Sequence, residues 1–141
     1  MKIKIKRFDK SLPRPEYKTS GAVAFDLYNR NKETFSPNQI KIFPTNVGIK
    51  VPRGHFLMIN SRSSTAIKTG LLIINGVVDQ DFCGDEDELH IQGMNLTKRK
   101  LVLPKGTRVA QGILVKISKA SFTEVKKLSP KSRGGFGTTG F

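Results

Sequence analysis

Hydrophobic and polar residues alternate along most of this chain. In Lys2-Ile3-Lys4-Ile5-Lys6 the isoleucines fall on one side and the lysines on the other, the period-two pattern of a half-buried strand. The same reading gives a short strand over residues 23–28 and one or two strands over 40–51, interrupted at Pro44. Further strands are expected over residues 56–59, 71–78, 89–96, 101–103 and 109–117. Pro52-Arg53-Gly54, Asn75-Gly76 and Pro104-Lys105-Gly106 are turn signals. Residues 16–21 read as a loop and 29–37 as polar turn material. The one expected helix covers residues 63–69, about one and a half turns, closed by Gly70. It is too short to organise a core. The pattern therefore predicts an all-β domain: a sandwich, a jelly roll or a small barrel.

The last stretch departs from this pattern. Residues 131–141 have neither strand nor helix periodicity, and alone in water they should be mobile. The chain divides on this reading into a β domain, residues 1–130, and a glycine-rich C-terminal segment, residues 131–141. With 141 residues there is room for one domain only.

Composition adds two constraints. The formal net charge is +14, from 25 Lys and Arg against 11 Asp and Glu. That balance suits a polyanionic partner, whether nucleotide, nucleic acid or membrane surface. Six of the 11 acids nevertheless lie between Asp79 and Glu88, so one acidic loop interrupts a basic body. Cys83 is the only cysteine, which excludes an intrachain disulfide and a multi-thiolate metal site within one chain. The N-terminus has no apolar run long enough for a signal peptide or membrane span, and the expectation is a soluble cytoplasmic protein.

Three segments carry candidate chemistry. Arg62-Ser63-Ser64 lies where a strand gives way to the helix, a place that serves either as a phosphate cradle or as an ordinary cap. Asp79 follows the apolar run ending Gly76-Val77-Val78; it is either a turn residue or a carboxylate placed to activate water. The consecutive acids Asp85 to Glu88 point in different directions on an extended chain and read as a solvated loop, not as a metal site. In the tail, Lys131, Arg133, Phe136, Gly137 and Thr138 suit a loop that folds over a phosphorylated ligand, with the ring stacking on a base. The alternative there is an RNA-binding tail.

In order along the chain stand Ala24-Phe25-Asp26-Leu27, then Arg62-Ser63-Ser64-Thr65-Ala66, then Gly76 to Gly84 containing Asp79 and Phe82. Gly106-Thr107-Arg108-Val109-Ala110-Gln111 and Gly134 to Gly140 follow. With these five motifs the chain resembles the trimeric dUTP diphosphatases (dUTPases), which share a superfamily with dCTP deaminases. The resemblance implies a distorted jelly roll that forms a homotrimer with active sites shared between subunits. It implies hydrolysis of dUTP at the α-phosphorus to dUMP and pyrophosphate, with Mg2+ on the triphosphate. By it, Asp79 activates the water, and Asp26 holds the metal indirectly, through water. Arg62, Ser63, Ser64 and Gln111 contact phosphates. The backbone of Gly76, Val77 and Val78 reads uracil, and the tail residues Lys131, Arg133, Phe136, Gly137 and Thr138 cover the nucleotide.

The chain departs from the family pattern in the run from Asp85 to Leu89, which is more acidic and slightly extended, and at three single positions. Phe82 stands where the family has tyrosine, keeping the ring and losing the hydroxyl. Ile73 stands where the family's uracil hairpin has asparagine, with Asn75 offset by two. Lys131 replaces the tail arginine, keeping charge without the bidentate fork. The rival readings are a dCTP deaminase-like enzyme and a basic nucleic-acid-binding module. Against the first, Gln92 stands where deaminases carry their catalytic glutamate, and a carboxamide cannot shuttle the proton. Against the second, aromatic residues are too sparse for a stacking platform.

Overall fold

A computed structural model describes residues 1–129, 131–132 and 134. The elements are β1 (Ile5–Arg7), β2 (Phe25–Tyr28), β3 (Glu33–Phe35), β4 (Ile40–Pro44), β5 (Val47–Ile49) and β6 (His55–Ser61). They continue with α1 (Thr65–Thr69), β7 (Leu71–Ile74), β8 (Gly76–Val78), β9 (His90–Asn95), β10 (Leu101–Leu103) and β11 (Arg108–Lys116). The all-β expectation holds. All the strand pairings are antiparallel, in sheets ordered β2-β11-β6-β8, β4-β9-β7, β1-β5 and β10-β3.

The core forms where the inward positions of these sheets meet. Leu27, Phe35, Leu57, Leu71 and Val109 are fully buried there, and Phe35 meets Phe43 edge to face at 5.6 Å between centroids. Two glycines are required by this packing. Gly70 closes α1 at φ 74°, and a Cβ there would come within 2.1 Å of the Thr97 methyl. At Gly112 a Cβ would lie 2.6 Å from the Phe25 ring, so glycine leaves the space in which that ring lies across β11.

The structure corrects the sequence reading in four places. The N-terminal strand runs Ile5–Arg7 and not over residues 2–6; Ile3 packs on the core while Ile5 is 41% exposed. The pairing partner decides this, because register with β5 sets Ile5 opposite Ile49. The polar stretch after Asn29 holds a strand, β3, whose Glu33 and Phe35 are both buried. Glu33 is tolerated there through its ion pair with Lys41. Asn75-Gly76 does not turn a hairpin: β7 pairs with β9 and β8 with β6, so Asn75 is a corner between two sheets. One intervening residue is too few for the two-residue hairpin turn that the dipeptide favours. Finally, Glu88 is not solvated. It is buried and accepts hydrogen bonds from Arg30 Nε at 2.9 Å and the Asn46 amide at 2.7 Å, which fastens the acidic loop to the core.

Candidate active site

One sheet, β2-β11-β6-β8, positions the candidate residues. At one end lies an ionic cluster. Asp26 on β2 is 7% exposed. Its Oδ1 meets Arg62 Nε at 2.9 Å, and its Oδ2 meets Arg108 Nη1 at 3.2 Å. Arg62 Nη1 also donates to the Arg108 carbonyl at 3.2 Å. Gln111 stands opposite Asp26 in the β2–β11 ladder, and its Nε2 donates to the Ser61 carbonyl at 2.9 Å. An open depression of about 260 Å³ adjoins the cluster, lined by Arg62, Ser64, Thr65, Lys68, Thr69, Thr107 and Arg108. Two guanidiniums, an ammonium and several hydroxyls around one hollow are the chemistry that phosphate groups require. Asp26 is the buried member of the cluster, so removing an arginine leaves a desolvated carboxylate short of a partner.

At the other end of the sheet, β8 brings its backbone to the surface and Asp79 follows it, exposed. A second hollow of about 270 Å³ is lined by Val77, Val78, Asp79, Phe82, Glu88, Leu89 and His90. Val77 is 66% exposed and Phe82 41%, so an apolar wall faces open space beside a carboxylate. That combination suits a flat, partly apolar ligand with a reacting group near Asp79.

The two ends are far apart within one chain. Val78 pairs with Leu57, so Asp79 falls at the level of Phe56, and both line a shared depression with His55. Arg62 follows Ser61, at the opposite end of β6. The six-residue interval from Phe56 to Arg62 corresponds to about 20 Å at about 3.3 Å per residue. Asp79 and the arginine cluster therefore lie at opposite ends of β6.

A model of the dUTPase family matches residues 10–140. The chain belongs to the dUTPase family. A deoxyuridine 5'-triphosphate nucleotidohydrolase of Finegoldia magna is 36% identical over 146 residues, covering 99% of this chain and all of that relative. One from Helicobacter pylori is 33% identical, covering 99% of this chain and 97% of the other. Among solved structures, the Staphylococcus bacteriophage 80alpha dUTPase with dUpNHpp superposes with a TM-score of 0.88 at 21% identity, covering 99% of both chains. A dUTPase mutant from phage phi11 of S. aureus, described with a structural Mg(II) ion, gives 0.82 at 18% identity over 91% of this chain and 99% of its own. At these identities the structural likeness establishes the fold.

Set on the dUTPase fold, the sequence-derived residues divide into two groups. Asp26, Arg62, Ser64 and Gln111 gather at the first end, with Ser63 exposed beside them. Gly76, Val77, Val78, Asp79 and Phe82 gather at the second. Lys131 is exposed. Arg133, Phe136, Gly137 and Thr138 lie outside the described residues. Arg108 and Lys68 were given no role by sequence reasoning, yet both line the arginine hollow. Lys68 is four residues beyond the Ser64 cap on a helix too short to show a face. The placement of Arg108 depends on strand register, and no local pattern signals that.

Proposed function

We propose that this chain is a dUTP diphosphatase that cleaves dUTP at the α-phosphorus, releasing dUMP and pyrophosphate. The observation that carries the reading is the dUTPase match over residues 10–140, with Asp79 at the lip of an apolar hollow and the guanidiniums gathered on a second one. In this reading Asp79 takes a proton from a water as its oxygen bonds to the α-phosphorus, and the bond from that phosphorus to the α,β-bridging oxygen breaks. Arg62, Ser63, Ser64 and Gln111 hold the phosphates. The backbone of Gly76 to Val78 hydrogen-bonds uracil. Phe82 packs under the deoxyribose and leaves no space for a ribose 2′-hydroxyl.

Magnesium on the triphosphate would neutralise charge and orient the phosphates. The donor set fits an ion held mainly by substrate and water. Among the described residues no three His, Cys, Asp or Glu side chains cluster to hold a metal. Asp26 has both oxygens engaged by arginines, and its remaining lone pairs suit contact with the ion through water.

The working unit in this proposal is a homotrimer of distorted jelly rolls, with Asp79 of one copy facing the arginine cluster of another. The separation of about 20 Å within one chain supports sharing. So does the outer face of the β4-β9-β7 sheet, where Ile40, Met94 and Leu72 form one row and Ile42, Gln92 and Ile74 the next. Ile40 is 58% and Ile42 60% exposed. These rows carry no charge in a chain of net charge +14, so they are where copies can meet without repulsion. Light scattering should give about three chain masses. Introducing Ile42→Lys together with Leu72→Lys should give a folded monomer with little activity; a fully active trimer would remove this face from the interface.

In the same proposal residues 131–141 close over bound nucleotide, bringing Lys131, Arg133 and Thr138 to phosphates and Phe136 to the base. Their composition supports this: charge and hydroxyls for phosphate, glycines for close approach. Deleting 131–141 should leave the assembly intact and sharply reduce kcat/KM; undiminished kcat/KM would end the lid proposal.

The decisive experiment is incubation with dUTP, dCTP, dTTP and UTP in magnesium, with products identified. Pyrophosphate and dUMP from dUTP alone are expected. Ammonia release from dCTP would instead establish the deaminase branch.

A further inference from the structure

The β2–β11 ladder contains an irregularity beside the site. Ala110 pairs with Leu27 and Gln111 with Asp26, but Arg108 pairs with Tyr28, so Val109 is an extra residue on β11. An uninterrupted ladder would set Val109 opposite Tyr28 and turn Arg108 to the other face. The bulge instead buries Val109 and Ala110 consecutively, both at 0% exposure, and puts Arg108 on the face that Asp26 and Gln111 share. There Asp26 bridges two guanidiniums, one on each oxygen, and the Arg62 guanidinium caps the Arg108 carbonyl. Each arginine keeps donors that line the phosphate-type hollow.

From this geometry we infer that Asp26 is a positioning residue: with the bulge at Val109 it holds Arg62 and Arg108 as a preformed two-guanidinium clamp on the polyphosphate, and Arg108 is a further substrate-binding residue. This rests on the proposed reaction and deepens it. The trio of Asp26, Arg62 and Arg108 sums to one positive charge, which attracts phosphate and disfavours a bare divalent cation. Two arginines in one hollow would repel and splay without the carboxylate between them. Fixing them beforehand removes the cost of ordering two long side chains when substrate arrives. Asp26 therefore acts on the triphosphate through the arginines, beyond any contact with a water of the metal.

The test measures binding of the non-hydrolysable analogue dUpNHpp by calorimetry, once in magnesium and once in EDTA. The proteins are the wild type, Asp26→Asn, Arg108→Gln and the double variant. Asp26→Asn should weaken the analogue about tenfold or more in both buffers, as expected for losing charge-assisted hydrogen bonds. The double variant should lose less affinity than the two single losses combined, because one interaction is removed twice. Unchanged affinity in EDTA with only the magnesium requirement raised would overturn the inference, and so would fully additive losses. Should Asp26→Asn fail to fold, Arg108→Lys carries the same measurement: it keeps the charge and loses the fork, and unchanged affinity there overturns the clamp. A wild type that binds no analogue at all would instead refute the proposed function.

Discussion

Asp79→Asn is expected to leave dUTP binding largely intact and to cut kcat by about 10²-fold or more, the scale of losing a general base. Asp79 is exposed at the end of β8, and among the described residues no cation pairs with it. Asparagine matches its shape, so the hollow that Asp79 shares with Val77, Val78 and Phe82 should persist. What disappears is the ability to accept a proton from water. The affinity of a non-hydrolysable analogue and the rate of a single turnover read these two effects separately. Undiminished turnover would show that another group activates the water. A loss confined to binding would assign Asp79 to substrate contact.

Two inactive variants are expected to restore one another. If Asp79 and Arg62 serve one site from different copies, Asp79→Asn and Arg62→Gln damage different sides of it. Unfolding the two together and refolding them at equal concentration should give mixed trimers. Each site then draws its Asp79 from one copy and its Arg62 from another, so about a quarter of the sites should be intact in a closed ring of copies. Activity should rise to about a quarter of wild type from a baseline near zero. The expectation comes from the placement of the two groups at opposite ends of β6, about 20 Å apart along the strand. Refolded mixtures no more active than their components would show that each copy works alone. The design also separates assembly from chemistry, since neither variant touches the apolar rows of the β4-β9-β7 sheet.

The sequence by itself determined the parts that depend on neighbours a few residues apart. Alternation of apolar and polar positions located most strands, and Gly70 located the end of the helix, because its left-handed conformation excludes other residues cheaply. The order of the motifs identified the family, and Asp79 was legible as a lone acid after an apolar run. What only the tertiary structure decided involves contacts distant in sequence. Asp26 meets Arg108 across 82 positions, and only through a bulge whose extra residue is set by the burial of Val109 and Ala110. Glu88 looks like one more acid in a charged run until folding places Arg30 and the Asn46 amide against it. Asn75-Gly76 reads locally as a hairpin, yet β7 and β8 separate because each finds a different strand to complete its sheet. Local patterning chooses strand or helix, whereas register, bulges and the pairing of charges follow from which distant segments pack together. The candidate site is built from that second kind of information, since its arginine cluster depends on the register of β2 with β11.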